Sequence, residues 1–233
     1  MTNEKPSVAF GVVTRDDCGR ERAQTVIDRW SVDAPVLVQK GVSCVATARC
    51  LLGAEMSASM PSDVECVVLL DDDVSPSATA LFSLVTSAVS SARSGHPTVY
   101  VASYPLRTPT PELGEPIKED RRIAHDIWQD GNVSGGLGCV AIPSALFRWL
   151  HLGDWTKHYP IMVGQTPSTC PYRVGPRNGI WMTEDLYFFS FLRELTVPSR
   201  MIPFIVQHGH KSAGPGWSWL DDRPISLPGL VFE

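Results

Sequence analysis

No apolar run in this chain approaches the ~20 residues needed to span a bilayer. The opening Met1–Pro6 is polar and lacks the hydrophobic core of a signal peptide. These absences predict a chain with no membrane partner that acts in the cytoplasm, of a cell or of a virus inside one. A Lys/Arg surplus is also missing: 20 basic against 25 acidic residues give a formal net charge of -5. Bulk charge therefore does not mark a nucleic-acid binder, whose affinity rests on cationic side chains, although a local basic stripe remains open. Among the six cysteines, Cys18, Cys44, Cys50, Cys66, Cys139 and Cys170, no CxxC pair occurs. That argues against structural zinc and predicts buried free thiols in a reducing compartment. Internal repeats and low-complexity segments are absent as well. No Gly-Lys-Ser/Thr follows Gly135-Gly136-Leu137-Gly138, so this glycine cluster is not a Walker-type phosphate cradle.

What is present is enough apolar material for a full core. The chain has 233 residues, 43% hydrophobic and 19% charged, which suits one α/β domain. Ser7–Val13 is a β-branched apolar run and predicts a strand, followed by a helix over Arg20–Trp30. Pro35–Gln39 predicts a strand, Val45–Met60 a helix and Glu65–Leu70 a third strand. Ser77–Arg93 reads as a Ser-capped helix, and Pro97–Ser103 as a fourth strand. This βαβαβαβ order predicts a parallel sheet with helices on both faces, whose ligand lies beyond the carboxyl ends of the strands. Residues 7–103 then form a nucleotide-binding half, 104–211 an acceptor and catalytic half, and 212–233 a tail. In the second half Tyr104–Pro116 reads as irregular, Arg121–Gln129 as polar with isolated apolar residues, and Gly131–Gly138 as a turn region. Cys139–Ile142 predicts a strand and Pro143–Leu150 a helix. His151–Gly179 reads as a long Pro-containing insertion, Thr183–Leu195 as a helix capped by Thr183, and Met201–Gln207 as a last strand.

Three features carry chemistry. Asp71-Asp72-Asp73 follows the apolar string Val-Val-Leu-Leu. A solvated acidic turn would account for it, but mutual repulsion of three carboxylates favours a nearby cation. Such oxygen ligands suit Mg2+ or Mn2+, which neutralise a departing diphosphate. Thr183-Glu184-Asp185 opens the late helix, where acids complement the helix dipole and a carboxylate can also serve as a general base. His208-Gly209-His210 ends the last strand, and neutral imidazole is a good ligand for manganese.

Taken together, Leu-Leu-Asp-Asp-Asp-Val-Ser-Pro, Gly-Gly-x-Gly, Thr-Glu-Asp and the C-terminal His resemble the ordered motifs of GT-A glycosyltransferases, those of family 2 in particular. The resemblance implies a single-domain, Rossmann-like GT-A fold and an inverting transfer of one sugar from a nucleotide-diphosphate-sugar, most simply a UDP-sugar, to a hydroxyl acceptor. It implies Asp73 as the principal metal ligand, with Asp71 and Asp72 on metal-bound water or the donor's ribose. His208, and after it His210, would join the metal, and Lys211 could touch the diphosphate. Asp185 matches the family's catalytic base, while Glu184 and Trp181 would face the acceptor. Thr14 and Arg15 end the first strand where the nucleobase and ribose lie. Arg49 resembles the Arg of an Ala-Arg-Asn element facing the nucleotide, although Cys50 stands where Asn is usual. Gly135 and Gly136 would form the backbone loop under the donor sugar.

The Gln-x-x-Arg-Trp motif of processive synthases is missing, which favours single-sugar transfer. Three other readings stay open. Hydroxymethylated DNA, as modified by bacteriophage enzymes, could be the acceptor, with Arg121, Arg122, Arg173, Arg177 and Lys211 as a phosphate-binding rim and the Trp-rich tail stacking on a sugar or base. A nucleotidyltransferase shares this kind of sheet and acidic metal site. A non-catalytic nucleotide-binding module could retain the fold.

Overall fold

The computed structural model describes residues 5–14, 17–31, 33–40, 44–104, 125–153, 160–163, 166–177, 179–208, 210–211, 217–218 and 223–224. Apolar β-branched runs build the centre of the sheet: β1 (Val8–Thr14), β2 (Val36–Lys40), β3 (Cys66–Asp71), β5 (Val99–Ser103), β8 (Cys139–Pro143) and β13 (Ser199–Ile205). With the short β17 (Arg223–Pro224) they lie in the order β17-β13-β5-β8-β3-β1-β2. Strands β1, β2 and β3 are mutually parallel, and β13 is parallel to β5. The expected mostly parallel α/β domain is therefore present.

One strand departs from the expected order. β8 runs antiparallel to both β3 and β5 and sits between them, with Cys139 opposite Leu70 and Pro143 opposite Cys66. The physical reason lies in the connection. A parallel crossover carries the chain back to the starting edge, usually through a helix. Here the described part of the link from β5 is the hairpin β6 (His125–Ile127) and β7 (Val133–Gly135). The chain re-enters from the edge where β5 ended and runs back down.

Five helices occur among the described residues. Helices α1 (Asp17–Asp28) and α3 (Ala78–Arg93) cover one face, where Phe10, Val68, Leu70, Leu81 and Leu84 are buried. Helices α2 (Val45–Ser59), α4 (Ser144–Leu152) and α5 (Glu184–Glu194) cover the other, over Val67, Leu69, Val140, Phe147 and Phe188. Successive residues of β3 feed opposite layers, so the strand reads as an unbroken apolar run because both of its faces are buried. The region 151–179, expected to be a plain insertion, contains the hairpin of β9 (Pro160–Val163) and β10 (Thr166–Thr169). It also contains β11 (Gly175–Arg177), which pairs with β12 (Ile180–Met182). No described helix is long and apolar enough to cross a membrane.

The cysteine expectation is corrected at two positions. Cys50 on α2 and Cys170, just after β10, form a disulfide across 120 residues, with Cα atoms 5.1 Å apart. Nothing in the spacing announces it: the two thiols meet only because α2 packs beneath the β9–β10 hairpin. Cys66 and Cys139 are buried free thiols as expected, whereas free Cys44 is exposed. The side chain of Cys18 lies outside the described residues. Loop-closure entropy predicts that reducing this bridge lowers stability by about 3–5 kcal/mol. Urea unfolding of the protein with and without dithiothreitol, beside a Cys50→Ala variant that removes the dependence on reductant, checks it.

Candidate functional site

Thr14, Arg49, Asp71, Asp72, Glu184 and Asp185 gather at the carboxyl edge of the parallel strands. β1 delivers Thr14 and β3 delivers Asp71, with Asp72 and Asp73 in the turn that follows. The turn leads into β4 (Val74–Ser75). That strand pairs antiparallel with β14 (Gln207–His208), placing His208 opposite Val74. The first turns of α2 and α5 approach the same edge.

At the centre is Arg49, only 4% exposed. Its Nη2 donates to both carboxylate oxygens of Asp71, at 2.9 and 3.0 Å. Its Nη1 donates to Asp185 Oδ1 at 2.7 Å and to Glu184 Oε1 at 3.3 Å. Carboxylates far apart in the chain are thus gathered around one cation, and in this structure that cation is a guanidinium. Burial by itself would weaken the hold of Arg49 on its proton. Asp71, Asp185 and Glu184 more than reverse this and fix it as a permanent positive charge. The planar fork of Arg suits this bridging, since it can serve two carboxylate groups from two nitrogens at once.

Asp185 is half-buried, and its carboxyl is pushed up to about 6, first by burial. Arg49 opposes that shift, while the charges of Glu184 and Asp71 add to it. Such a carboxylate is ionised at neutral pH yet basic enough to take a proton from a hydroxyl during its attack. The expected cap position, Thr183, does precede α5, but its side chain makes no capping bond. Trp181 on β12 is 71% exposed, three residues ahead of Glu184.

Asp72 belongs to a second network. It accepts from Thr14 Oγ1 at 2.8 Å and from Arg22 Nη2 of α1 at 2.7 Å, and Arg22 Nε donates to its backbone carbonyl at 3.1 Å. Arg22 had no assignment from sequence, because a lone Arg on an amphipathic helix looks like any solvated charge.

The glycine cluster is held from beneath. Gly138 donates its N–H to the Tyr104 hydroxyl at 3.1 Å and accepts at its carbonyl from the Asp71 N–H at 2.9 Å. A Cβ on Gly138 would lie 2.9 Å from Val74 Cγ2 and 3.0 Å from Tyr104 Cε1, so this position has no room for a side chain. Gly135 has φ 139°, which disfavours any other residue. His125 and Tyr104, both buried, were not singled out from sequence. Each stands in or beside a polar, Pro-rich stretch with no recognisable period.

The structure brings together Arg49, Asp71, Glu184 and Asp185, with Thr14 and Asp72 beside them and Gly138 bonded to the Asp71 backbone. Arg15 lies outside the described residues, as do the side chains of His208 and His210. His210 stands apart from the triplet's turn in pairing: β15 (His210–Lys211) joins β16 (Trp217–Ser218). Among the described residues, no group of three or more His, Cys, Asp and Glu is arranged to hold a metal ion. The basic rim also loses a member. Arg177 is buried, donates to Glu194 and packs over the Tyr187 ring. Arg173 is exposed, and Arg121 and Arg122 lie outside the described residues.

Removing Arg49 leaves three carboxylates crowded at one buried point without their counter-charge. We expect Arg49→Met to cost about 3–5 kcal/mol at pH 7, as for other half-broken buried ion pairs. The loss should shrink toward pH 5. Without Arg49 the Asp185 carboxyl titrates above its present value, so falling pH neutralises it and relieves the repulsion. Urea unfolding at the two pH values measures both effects.

No protein-family model and no curated protein matches the chain. Solved structures of similar fold include A197 from STIV, 15% identical, with a TM-score of 0.48 over 94% of this chain and 97% of that one. A second is 4-diphosphocytidyl-2C-methyl-D-erythritol synthase from Anaerococcus prevotii, 8% identical, with a TM-score of 0.42 over 84% of this chain and 88% of that one.

Proposed function

We propose that the chain is a glycosyltransferase that moves one sugar from a nucleotide-diphosphate-sugar, a UDP-sugar in the simplest case, to a hydroxyl acceptor. The observation that carries the reading is the Arg49 clasp. It holds the acid ending β3 and the acids opening α5 at one edge of the sheet, where donor-side and acceptor-side chemistry must meet. In this reading Asp185 accepts the proton of the acceptor hydroxyl as its oxygen bonds to the anomeric carbon. The bond from that carbon to the diphosphate breaks on the opposite side, so configuration inverts. Glu184 shares Arg49 with Asp185 and keeps the base oriented. Asp72, fixed by Thr14 and Arg22, faces the nucleotide. Trp181, exposed beside the base, offers a flat surface to the acceptor.

This reading includes a divalent cation, Mn2+ or Mg2+. Asp73 and His208 would hold it, since the β4–β14 pairing puts His208 opposite the residue after Asp73. Asp71, counted among the metal ligands on sequence grounds, has both oxygens on Arg49 and is assigned here to the clasp. When bound, such an ion would neutralise the charge developing on the diphosphate.

A panel of nucleotide-sugars with manganese, scored for nucleoside diphosphate release by mass spectrometry, tests the activity. Release of pyrophosphate instead would identify nucleotidyl transfer. Asp73→Ala should lose metal-dependent nucleotide binding together with transfer. Asp185→Asn should keep binding while transfer falls at least ~100-fold, as expected for loss of a general base. Normal manganese and nucleotide binding by Asp73→Ala would remove that residue from the metal site.

The pH profile supplies an independent check. A base that titrates near 6 predicts kcat level above about pH 7 and falling tenfold per unit below about pH 6. A profile flat down to pH 5 would exclude Asp185 as the base.

A further inference from the structure

His125 lies in a stretch that the proposed chemistry leaves without a role, yet it is among the most constrained polar residues of the molecule. It is buried on β6, and both ring nitrogens have polar partners. Nε2 carries the proton and donates to the Gly136 carbonyl at 2.7 Å, which leaves Nδ1 to accept from the Ser103 hydroxyl at 3.3 Å. The ring meets Tyr104 edge-on at 5.7 Å between centroids and Phe189 of α5 at 6.3 Å. A leucine would fill such a place at lower desolvation cost, so the reason for an imidazole has to be sought in its partners.

The partners define a strut. The β6–β7 ladder ends where His125 pairs with Gly135. Gly136 is the first loop residue beyond that ladder, and the side chain of the last ladder residue takes over its carbonyl. Two residues on, Gly138 is fixed to Tyr104 on one side and to the backbone of Asp71 on the other. Phe189, against the ring, stands four residues after Asp185 on α5. The strut thus touches the loop, the end of β5 and the helix that carries the base.

We propose that His125 is a positioning residue that holds the Gly135–Gly138 backbone in the conformation that receives the sugar of the donor. The idea deepens the glycosyltransferase reading and rests on it for the identity of the ligand. Burial keeps the ring neutral, pushed down to about 4, so Nδ1 can accept from Ser103 while Nε2 donates to Gly136 throughout the neutral range. In this reading the loop, bonded through Gly138 to the backbone of Asp71, takes the sugar side of the site, and the nucleotide belongs to the separate Thr14–Asp72–Arg22 network. The expected signature is therefore selective for the sugar.

His125→Phe preserves a flat ring and removes both hydrogen bonds, and His125→Gln restores a donor near the position of Nε2. We expect His125→Phe to raise the KM for the nucleotide-sugar at least tenfold, while the Kd for the sugar-free nucleoside diphosphate stays within twofold. His125→Gln should recover most of the loss. Equal weakening for nucleotide-sugar and free nucleotide, or no rescue by Gln, would reduce His125 to a fold-stabilising residue and overturn the proposal. Hydrogen exchange supplies a readout that needs no substrate. Amides 136–138 should exchange at least tenfold faster in His125→Phe, with protection restored in His125→Gln, and unchanged exchange would also overturn it. If the wild type transfers no sugar from any donor but the exchange pattern holds, the glycosyltransferase reading fails and the strut stands. Should His125→Phe not fold, the comparison of wild type with His125→Gln and Ser103→Ala decides. The strut then requires that both variants, which keep a donor to the Gly136 carbonyl, hold the wild-type KM for the nucleotide-sugar within about threefold and keep amides 136–138 protected; loss of either in both variants would overturn it.

Discussion

A guanidinium enclosed by three carboxylates sets the terms for everything near it. Arg49 cannot leave its place without stranding Asp71, Asp185 and Glu184, and none of the three can relax into solvent without stranding Arg49. The cost of such an arrangement is high in both directions, because charges taken out of water must be matched in number and geometry. What it secures is distance control between two segments that are 114 residues apart in the chain, Asp71 and Asp185. Hydrophobic packing alone would let the end of β3 and the start of α5 shift by fractions of an ångström. A two-nitrogen fork holds them in one register, which is what the proposed proton transfer from an attacking hydroxyl to Asp185 would demand.

The same clasp explains why Asp185 differs chemically from its neighbours. Three acids crowd the point, and Asp185 shares a guanidinium that Asp71 and Glu184 also engage. Its proton affinity rises into the useful range because the counter-charge it receives is insufficient to offset desolvation and two neighbouring anions. Asp72, drawn away by Thr14 and Arg22, takes no part in this competition.

Much of this was legible in the sequence, and the gaps have physical causes. Strands β1 and β3, helices α2, α3 and α5, and the placing of the acidic triplet at a strand end followed from period and composition, since burial on both faces leaves an unmistakable apolar run. The sequence motifs point to distant carboxylates around a metal ion; the structure shows Asp71 and Asp185 on Arg49, a partner that one dimension does not reveal because a buried Arg and a surface Arg on a helix look identical there. The direction of β8 was hidden for a related reason: strand patterning records which faces are buried and carries no sense of direction. Cys50 and Cys170 meet through tertiary packing alone, so spacing could not pair them. His125 and Tyr104 sit in and beside a segment whose polarity suggested solvent. Arg177, offered as part of a basic rim, folds inward onto Glu194 and Tyr187, where a long side chain finds both a partner and a ring.

The placing of β8 has one further consequence. Strands β3 and β5 both lie within residues 7–103, read from sequence as one half, yet they do not touch each other as sheet neighbours; the strand between them comes from residues 139–143. The two halves are therefore not separate units of architecture. The first half in isolation would carry an open slot down the middle of its own sheet, with two rows of unsatisfied amides and carbonyls facing each other across the missing strand. A chain severed between Tyr104 and His125 has no autonomous first half to release. Its pieces can reach the native form only by closing on one another, as a split protein does when its parts are co-expressed.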